Sequence, residues 1–367
     1  MKRFKVESSK CCYEVVLGRG AWRALREFGR EKYSSVFLLT EAPLWDRWSK
    51  LFLRESGLRG AQVLLVPPGE SSKSLKMAGH VCGELLAHGA DRKSFLLALG
   101  GGVIGDLGGF VASTYMRGID LAHAPTTVVA QVDSSIGGKT GVNLGAMKNL
   151  IGTFYPPRIV VAEPLVLTSL GKRAFRSGFY EVVKHGMLVG SPLFEQLERN
   201  VGGLSTDKID RLEPVLASAA EVKVDVVSRD EREARLRMVL NLGHTFGHAL
   251  EEATRYRRFL HGEAIGWGLL MIVRLAERLK VLAAQDAERM RKLICDVGLL
   301  PPIRDLKSDR VIPLLSRDKK TIGGRIHWVI PERIGSVKIE TEIPLREAAA
   351  AFADVQKMKW PGSEAHA

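Results

Sequence analysis

Phe95-Leu96-Leu97-Ala98-Leu99-Gly100-Gly101-Gly102-Val103-Ile104-Gly105-Asp106 is the stretch on which the reading of this chain turns. Five apolar residues with no polar alternate fit a strand buried on both faces, as in parallel sheets covered by helices. Gly100, Gly102 and Gly105 then satisfy G-x-G-x-x-G, and a helix is expected to begin near Asp106. Glycines at such a turn let backbone N–H groups approach a pyrophosphate at a helix N-terminus. Alone the pattern is weak, because a tight strand-to-helix turn with no ligand also produces it. It also follows a third strand rather than a first, so a dinucleotide domain here is a variant of the usual one.

Working outward, Val36-Phe37-Leu38-Leu39 and Val63-Leu64-Leu65-Val66 precede it with the same texture, separated by helix-like segments. Val128-Val129-Ala130 and Ile159-Val160-Val161-Ala162 are expected to continue the parallel sheet. After about Pro164 the texture changes. Segments 207–229, 241–256, 263–280 and 283–297 carry apolar residues at three- and four-residue spacing, the period of amphipathic helices. A short β excursion is expected at Ile326–Ile330 and Val337–Ile339, and Trp360–Ala367 are expected to fray. The fold class is α/β: a variant Rossmann-like parallel-sheet domain over 1–165, then a mainly α-helical domain over 166–367.

Composition bounds the function. The 367 residues are 46% hydrophobic and 26% charged, as in a soluble globular protein, and no apolar run approaches the roughly 20 residues of a membrane span. Met1-Lys2-Arg3-Phe4-Lys5-Val6-Glu7 has no apolar stretch behind its charges, so a cytoplasmic location is expected. Cys11, Cys12, Cys82 and Cys295 form no CxxC pair and read as reduced thiols. The net charge of +13 is scattered, without an RGG tract or basic tail. That argues against a nucleic-acid partner; the basic surface of a soluble enzyme accounts for the charge, with an anionic substrate as the sharper alternative.

Further polar turns, Glu70-Ser71-Ser72-Lys73 and Pro125-Thr126-Thr127, suit the crevice beyond the strand ends. In Asp133-Ser134-Ser135-Ile136-Gly137-Gly138-Lys139-Thr140 two glycines set Lys139 beside backbone donors, an arrangement for phosphate or carboxylate. The spacing is not that of a Walker A loop. Gly243-His244-Thr245-Phe246-Gly247-His248 puts two imidazoles at i, i+4. His261-Gly262-Glu263 lies downstream and Glu181-Val182-Val183-Lys184-His185 upstream. One carboxylate with two histidines makes a three-ligand site with an open position, as catalytic zinc requires. Spacing leaves open which of His185, His244, His248 and His261 bind. Arg237 precedes His244 by seven residues, two helical turns, which would aim both into one cleft.

From Leu97 to Glu263 these motifs, with Tyr115-Met116-Arg117-Gly118 and Lys148-Asn149-Leu150-Ile151-Gly152, resemble the 3-dehydroquinate synthases in order and spacing. Asp318-Lys319-Lys320 extends the likeness. The resemblance implies NAD, a zinc or cobalt ion, and an anionic sugar phosphate as substrate: 3-deoxy-D-arabino-heptulosonate 7-phosphate. It implies oxidation at C5, loss of phosphate, re-reduction, ring opening and aldol closure to 3-dehydroquinate, a step of the shikimate pathway. By the same resemblance Glu181, His244 and His261 are the metal ligands, and His248, Lys184, Asp133 and Glu181 are catalytic. NAD contacts carry over to Glu70, Lys73, Gly102, Val103, Ile104, Gly105, Asp106, Thr126, Thr127, Lys139 and Lys148. Substrate contacts carry over to Arg117, Asp133, Lys139, Lys148, Asn149, Lys184, Lys223, Arg237, Asn241, His248 and Lys319 or Lys320. Arg117 in that family reaches the neighbouring protomer's site, which implies a homodimer. Two positions depart from the family pattern: Tyr180 stands for an alanine, and His185 for a tyrosine. A polyol dehydrogenase of the glycerol type and another sugar phosphate cyclase are the rival readings.

Overall fold

The computed structural model describes residues 1–8, 12–28, 31–145, 147–233, 235–316 and 325–358. Lys319, Lys320, Cys11 and the stretch 360–367 lie outside them; Cys12, Cys82 and Cys295 are free thiols. The chain divides into two compact units, Met1–Leu170 with Thr206–Arg232, and Gly171–Ser205 with Glu233–Ala367. No helix of the described residues is long and apolar enough to cross a membrane.

In chain order the strands and helices of the first stretch are β1 (Lys2–Val6), β2 (Tyr13–Leu17), β3 (Val36–Glu41), α1 (Ala42–Ser56), β4 (Gln62–Val66), α2 (Leu75–Ala87), β5 (Phe95–Gly100), α3 (Gly102–Thr114), β6 (Asp120–Pro125), β7 (Lys139–Leu144), β8 (Met147–Phe154) and β9 (Ile159–Ala162). Then follow α4 (Lys172–Val189), α5 (Leu193–Asn200), α6 (Ile209–Arg229), α7 (His244–Ala253), α8 (His261–Arg278), α9 (Ala284–Asp296), α10 (Ser308–Leu315), β10 (Trp328–Arg333), β11 (Ser336–Glu340) and α11 (Leu345–Lys357).

The first unit is built on a sheet of order β1-β2-β9-β6-β5-β3-β4. The β1–β2 pair is antiparallel, and the remaining neighbours are parallel. Alternation along β5 serves two cores at once. Phe95, Leu97 and Leu99 pack with Trp22, Trp48 and Phe52, while Leu96 and Ala98 pack with Ile104, Leu107 and Val111. A strand with a core on either face has no use for a polar side chain, which is why it reads as an unbroken apolar run.

Two expectations need correction. Val128-Val129-Ala130 is not a strand. The strand is β6, and Thr127 Oγ1 accepts the Ala130 N–H to open a short helical turn, of which 130–134 is π-helical. Three apolar residues are too few for periodicity to separate the two. The helix after the glycine turn begins at Gly102, four residues before Asp106. In addition, α6, expected with the second half, belongs to the first unit. It packs there on β1 and on the 130–134 turn. The second unit is helical apart from the β10–β11 hairpin, and its core helix α8 is buried along most of its length.

Candidate active site

Missing side chains bring three helices of the second unit together. A Cβ on Gly262 would fall 1.7 Å from the Ser177 carbonyl oxygen of α4, and one on Gly268 would fall 2.0 Å from the Gly243 carbonyl oxygen. Gly243, which precedes α7, holds φ at +78°, a left-handed value that favours glycine. Each glycine therefore marks a place where α8 touches a neighbouring backbone. Glu263 fastens the start of α8: its Oε2 accepts the Leu260 N–H at 2.8 Å, and Arg173 grips both its oxygens at 2.6 and 2.8 Å.

This packing delivers Glu181 from α4, His244 from α7 and His261 from α8 to one point. His244 Nε2 and His261 Nε2 lie 3.5 and 3.4 Å from Glu181 Oε1. Two ligands about 2.1 Å from a tetrahedral ion stand about 3.4 Å apart, so these separations suit one zinc- or cobalt-sized ion. The opposite ring nitrogens are already engaged. His244 Nδ1 is 3.2 Å from the Leu242 carbonyl oxygen and His261 Nδ1 is 3.2 Å from Glu251 Oε2. Both oxygens accept, so both Nδ1 atoms carry hydrogen and each Nε2 faces the shared point. Glu181 Oε2 is held by Lys184 Nζ at 2.5 Å, which leaves Oε1 facing the two imidazoles.

Burial alone would push the His261 imidazole down. The Glu251 and Glu181 carboxylates outweigh it and hold its pKa up at about 10. Such a site rewards positive charge, a proton or a metal ion in its stead. His248 stands beside the triad, its ring centroid 5.4 Å from that of His244 and 6.0 Å from that of His261. Among the described residues the candidate metal groups are Glu181–His244–His261 and His248–Glu251–His261; His185, fully buried on α4, is in neither.

Arg237 is buried, but not on a helix continuous with His244. Its short 3-10 turn, Leu236–Asn241, ends before Gly243, whose left-handed φ restarts the chain as α7. Arg237 and His244 are therefore not two turns apart on one helix face. Asn241 Nδ2 donates to Glu233 Oε1 at 3.1 Å.

In the first unit the glycine turn sits at the carboxyl end of β5. A Cβ on Gly101 would meet Thr127 Cγ2 at 2.9 Å, and Thr126 N–H donates to the Gly100 carbonyl at 3.0 Å. Thr126 and Thr127 thus line the turn. The first-turn amides of Gly102, Val103 and Ile104 have no partner within α3, while Gly105 N–H is already bonded to Gly101. Burial pushes the Asp106 carboxyl up, and Lys73, in short contact with it, offsets part of that. Asn143 on β7 donates to Glu70 Oε1 at 2.8 Å and accepts the Asn149 N–H at 2.9 Å. That ties the β7–β8 hairpin, with Lys139 at its start and Lys148 in β8, to the 70–73 turn. Lys223 of α6 pairs with Asp133 at 2.5 Å. Arg117 and Met116 occupy left-handed backbone at φ 65° and 50°, a strained presentation for residues with side chains.

Sequence reasoning missed Glu251, Arg173 and the Leu242 carbonyl. Glu251 follows His248 by three residues on one helix, a spacing that was available. Arg173 reaches Glu263 only in the tertiary structure, whereas the Leu242 carbonyl, two residues before His244, is turned onto the ring by the left-handed break at Gly243.

Residues 63–177 match the family model described as 3-dehydroquinate synthase N-terminal, and residues 178–321 that described as 3-dehydroquinate synthase C-terminal. A 3-dehydroquinate synthase of Solibacter usitatus is 38% identical over 345 residues, 94% of this chain and 96% of that one. One from Dictyoglomus thermophilum is 41% identical over 354 residues, 96% of this chain and 98% of that one. Among solved structures, 2-epi-5-epi-valiolone synthase from Streptomyces hygroscopicus with NAD+ and Zn2+ bound aligns at a TM-score of 0.84 and 25% identity, covering 97% of this chain and 98% of that one.

Proposed function

The chain belongs to the 3-dehydroquinate synthase family, and from that premise we propose how it performs that family's reaction. It converts 3-deoxy-D-arabino-heptulosonate 7-phosphate to 3-dehydroquinate and phosphate, a carbon–oxygen lyase step dependent on NAD and a divalent metal. The observation that carries the reading is the convergence of Glu181, His244 and His261, whose ligand atoms all lie within 4.8 Å of one another, with both Nδ1 atoms already tied back.

When bound, NAD+ supplies a reversible hydride acceptor, and zinc or cobalt a Lewis acid for the substrate hydroxyls. Glu181 Oε1 and the two Nε2 atoms would hold the ion. Lys184 keeps the second Glu181 oxygen out of the shell and balances its charge. His248, outside the shell, is the proton acceptor for the hydroxyl that is oxidised. The amides of Gly102, Val103 and Ile104 receive the dinucleotide's pyrophosphate at the start of α3, with Glu70, Lys73, Asp106, Thr126 and Thr127 around it. Lys139, Lys148, Lys223, Arg237 and Lys319 or Lys320 are the cations for the phosphate and carboxylate of the substrate. Asp133, Asn149 and Asn241 orient its hydroxyls, and Arg117 serves the neighbouring protomer of a homodimer.

A polyol dehydrogenase acts on neutral substrates and has no use for these cations. The deciding assay follows phosphate release from the heptulosonate phosphate with catalytic NAD+ and zinc. Many turnovers without net NADH are expected. Stoichiometric NADH, or no phosphate release, would sink the proposal.

A further inference from the structure

Two groups fix His261, and they act on different parts of it. Its backbone is set by Gly262 against α4 and by Glu263, which Arg173 and the Leu260 N–H hold. Its ring is set by Glu251. That carboxylate comes from α7, two turns beyond His244, and Glu251 is only 3% exposed. Its Oε2 accepts from His261 Nδ1 at 3.2 Å, while Nε2 of the same ring stands 3.4 Å from Glu181 Oε1. An imidazole on a helix N-terminus can rotate about its χ angles. A fixed acceptor on Nδ1 removes that freedom and points Nε2 at the ion. The negative charge behind the ring also makes Nε2 a better donor to a cation.

We infer that Glu251 is a positioning residue for the metal-binding imidazole of His261, without itself binding the ion. The inference rests on reading Glu181, His244 and His261 as one metal site. Its competitor is built from the same atoms: His248, Glu251 and His261 also lie within 4.8 Å of one another. On that reading Glu251 would ligate a second cation, with His261 bridging two ions through both nitrogens. The carboxylate–imidazole hydrogen bond and the second ion exclude each other at Nδ1, so metal stoichiometry separates them.

The experiment measures zinc affinity by chelator competition, with stoichiometry and the visible spectrum of the cobalt-loaded protein. It compares wild type with Glu251→Ala, Glu251→Gln, Glu251→Asp, His261→Ala and the Glu251→Ala/His261→Ala double variant. One ion per chain is expected, with Glu251→Ala binding it about 10- to 100-fold more weakly. Glu251→Gln, whose amide oxygen still accepts from Nδ1, should recover most of this with an unchanged cobalt spectrum. Glu251→Asp keeps the charge but withdraws the oxygen by one methylene, and should fall between. It carries the test if the alanine variant fails to fold. The double variant should bind no more weakly than His261→Ala, because Glu251 acts only through that ring. Wild-type affinity in both Glu251→Ala and Glu251→Asp, with loss in His261→Ala, overturns the inference alone. Two ions in wild type and one in Glu251→Ala overturn it in favour of ligation. Wild-type affinity in His261→Ala instead overturns the metal-site reading, and the inference with it.

Discussion

Gly262 lies against Ser177 so closely that a β-carbon on the glycine would stand 1.7 Å from the serine carbonyl oxygen. Non-bonded carbon and oxygen need roughly twice that separation. The oxygen belongs to the backbone of α4, and cannot swing away as a side chain would. Gly262→Ala must therefore push the start of α8, and with it His261, off Glu181. Overpacking of this kind costs about 1–3 kcal/mol. The variant is expected to melt lower and to copurify with little zinc. Gly203→Ala, where nothing lies within 4 Å of the added carbon, is the control and should match wild type. A Gly262→Ala protein with full zinc content would show that α8 tolerates displacement.

The three histidines should separate into two roles. On the proposed assignment His244→Ala and His261→Ala each remove one of three protein ligands and should lose bound zinc. His248→Ala should keep the metal and lose turnover by about 10²–10⁴-fold, as for a positioned acid–base group. Metal analysis beside phosphate-release kinetics checks this. Zinc lost from His248→Ala and kept in His261→Ala would reverse the assignment.

What could be read in advance follows from the range of the forces involved. The histidine clusters that the fold brings together were legible because glycine and histidine sit within one or two turns of each other in Gly243–His248 and His261–Glu263. The long helices α6 and α8 were legible because their period repeats over many residues. Periodicity says that 207–229 is a helix but not which core it joins, so the placement of α6 in the first unit was out of reach. The β7–β8 hairpin was missed because Lys139–Leu144 is interrupted by Gly141 and β8 is largely exposed. Glu251 was passed over because i+3 from His248 does not reveal that the next helix, α8, brings His261 to it.

His123 predicts an acid limit of the first unit. Its ring is buried in β6, Nδ1 has no hydrogen-bond partner, and burial lowers its pKa from 6.5 to about 4. Below pH 6.5 the unfolded chain gains a proton that the folded chain refuses until about pH 4. Stability is therefore intact above that window and falls as pH drops through it. Between pH 7 and pH 5 the loss from this group is about 2 kcal/mol, at about 1.4 kcal/mol per unit. Denaturant unfolding at both pH values should show His123→Gln losing less than wild type. Equal losses would mean that another group sets the acid limit.

Arg117 tests the homodimer. Arg117→Ala and Glu181→Ala should each be nearly inactive alone. Mixed and allowed to exchange, they should regain activity, since one site then combines an intact metal shell with its neighbour's intact Arg117. Absence of recovery, with exchange demonstrated by differential labelling, would assign Arg117 to its own protomer.

Arg237 decides which cyclase this is. The side chain is 1% exposed, and a buried guanidinium is costly unless it meets an anion or several acceptors. If its task is the substrate's anionic end, Arg237→Ala leaves a desolvated negative charge without a bidentate partner. Losses of this kind run to about 2–5 kcal/mol, or roughly 30- to several-thousand-fold in kcat/KM. Arg237→Lys should recover only part, because the ammonium keeps the charge but loses the planar fork. An analogue without the carboxylate should react poorly with wild type and be nearly indifferent to the substitution. The measurement crosses two substrates with two enzymes, and circular dichroism checks that each variant is folded. A decarboxylated analogue that turns over as fast as the parent in wild type would remove the carboxylate from recognition. The family's reaction would then belong, in this chain, to a different sugar phosphate.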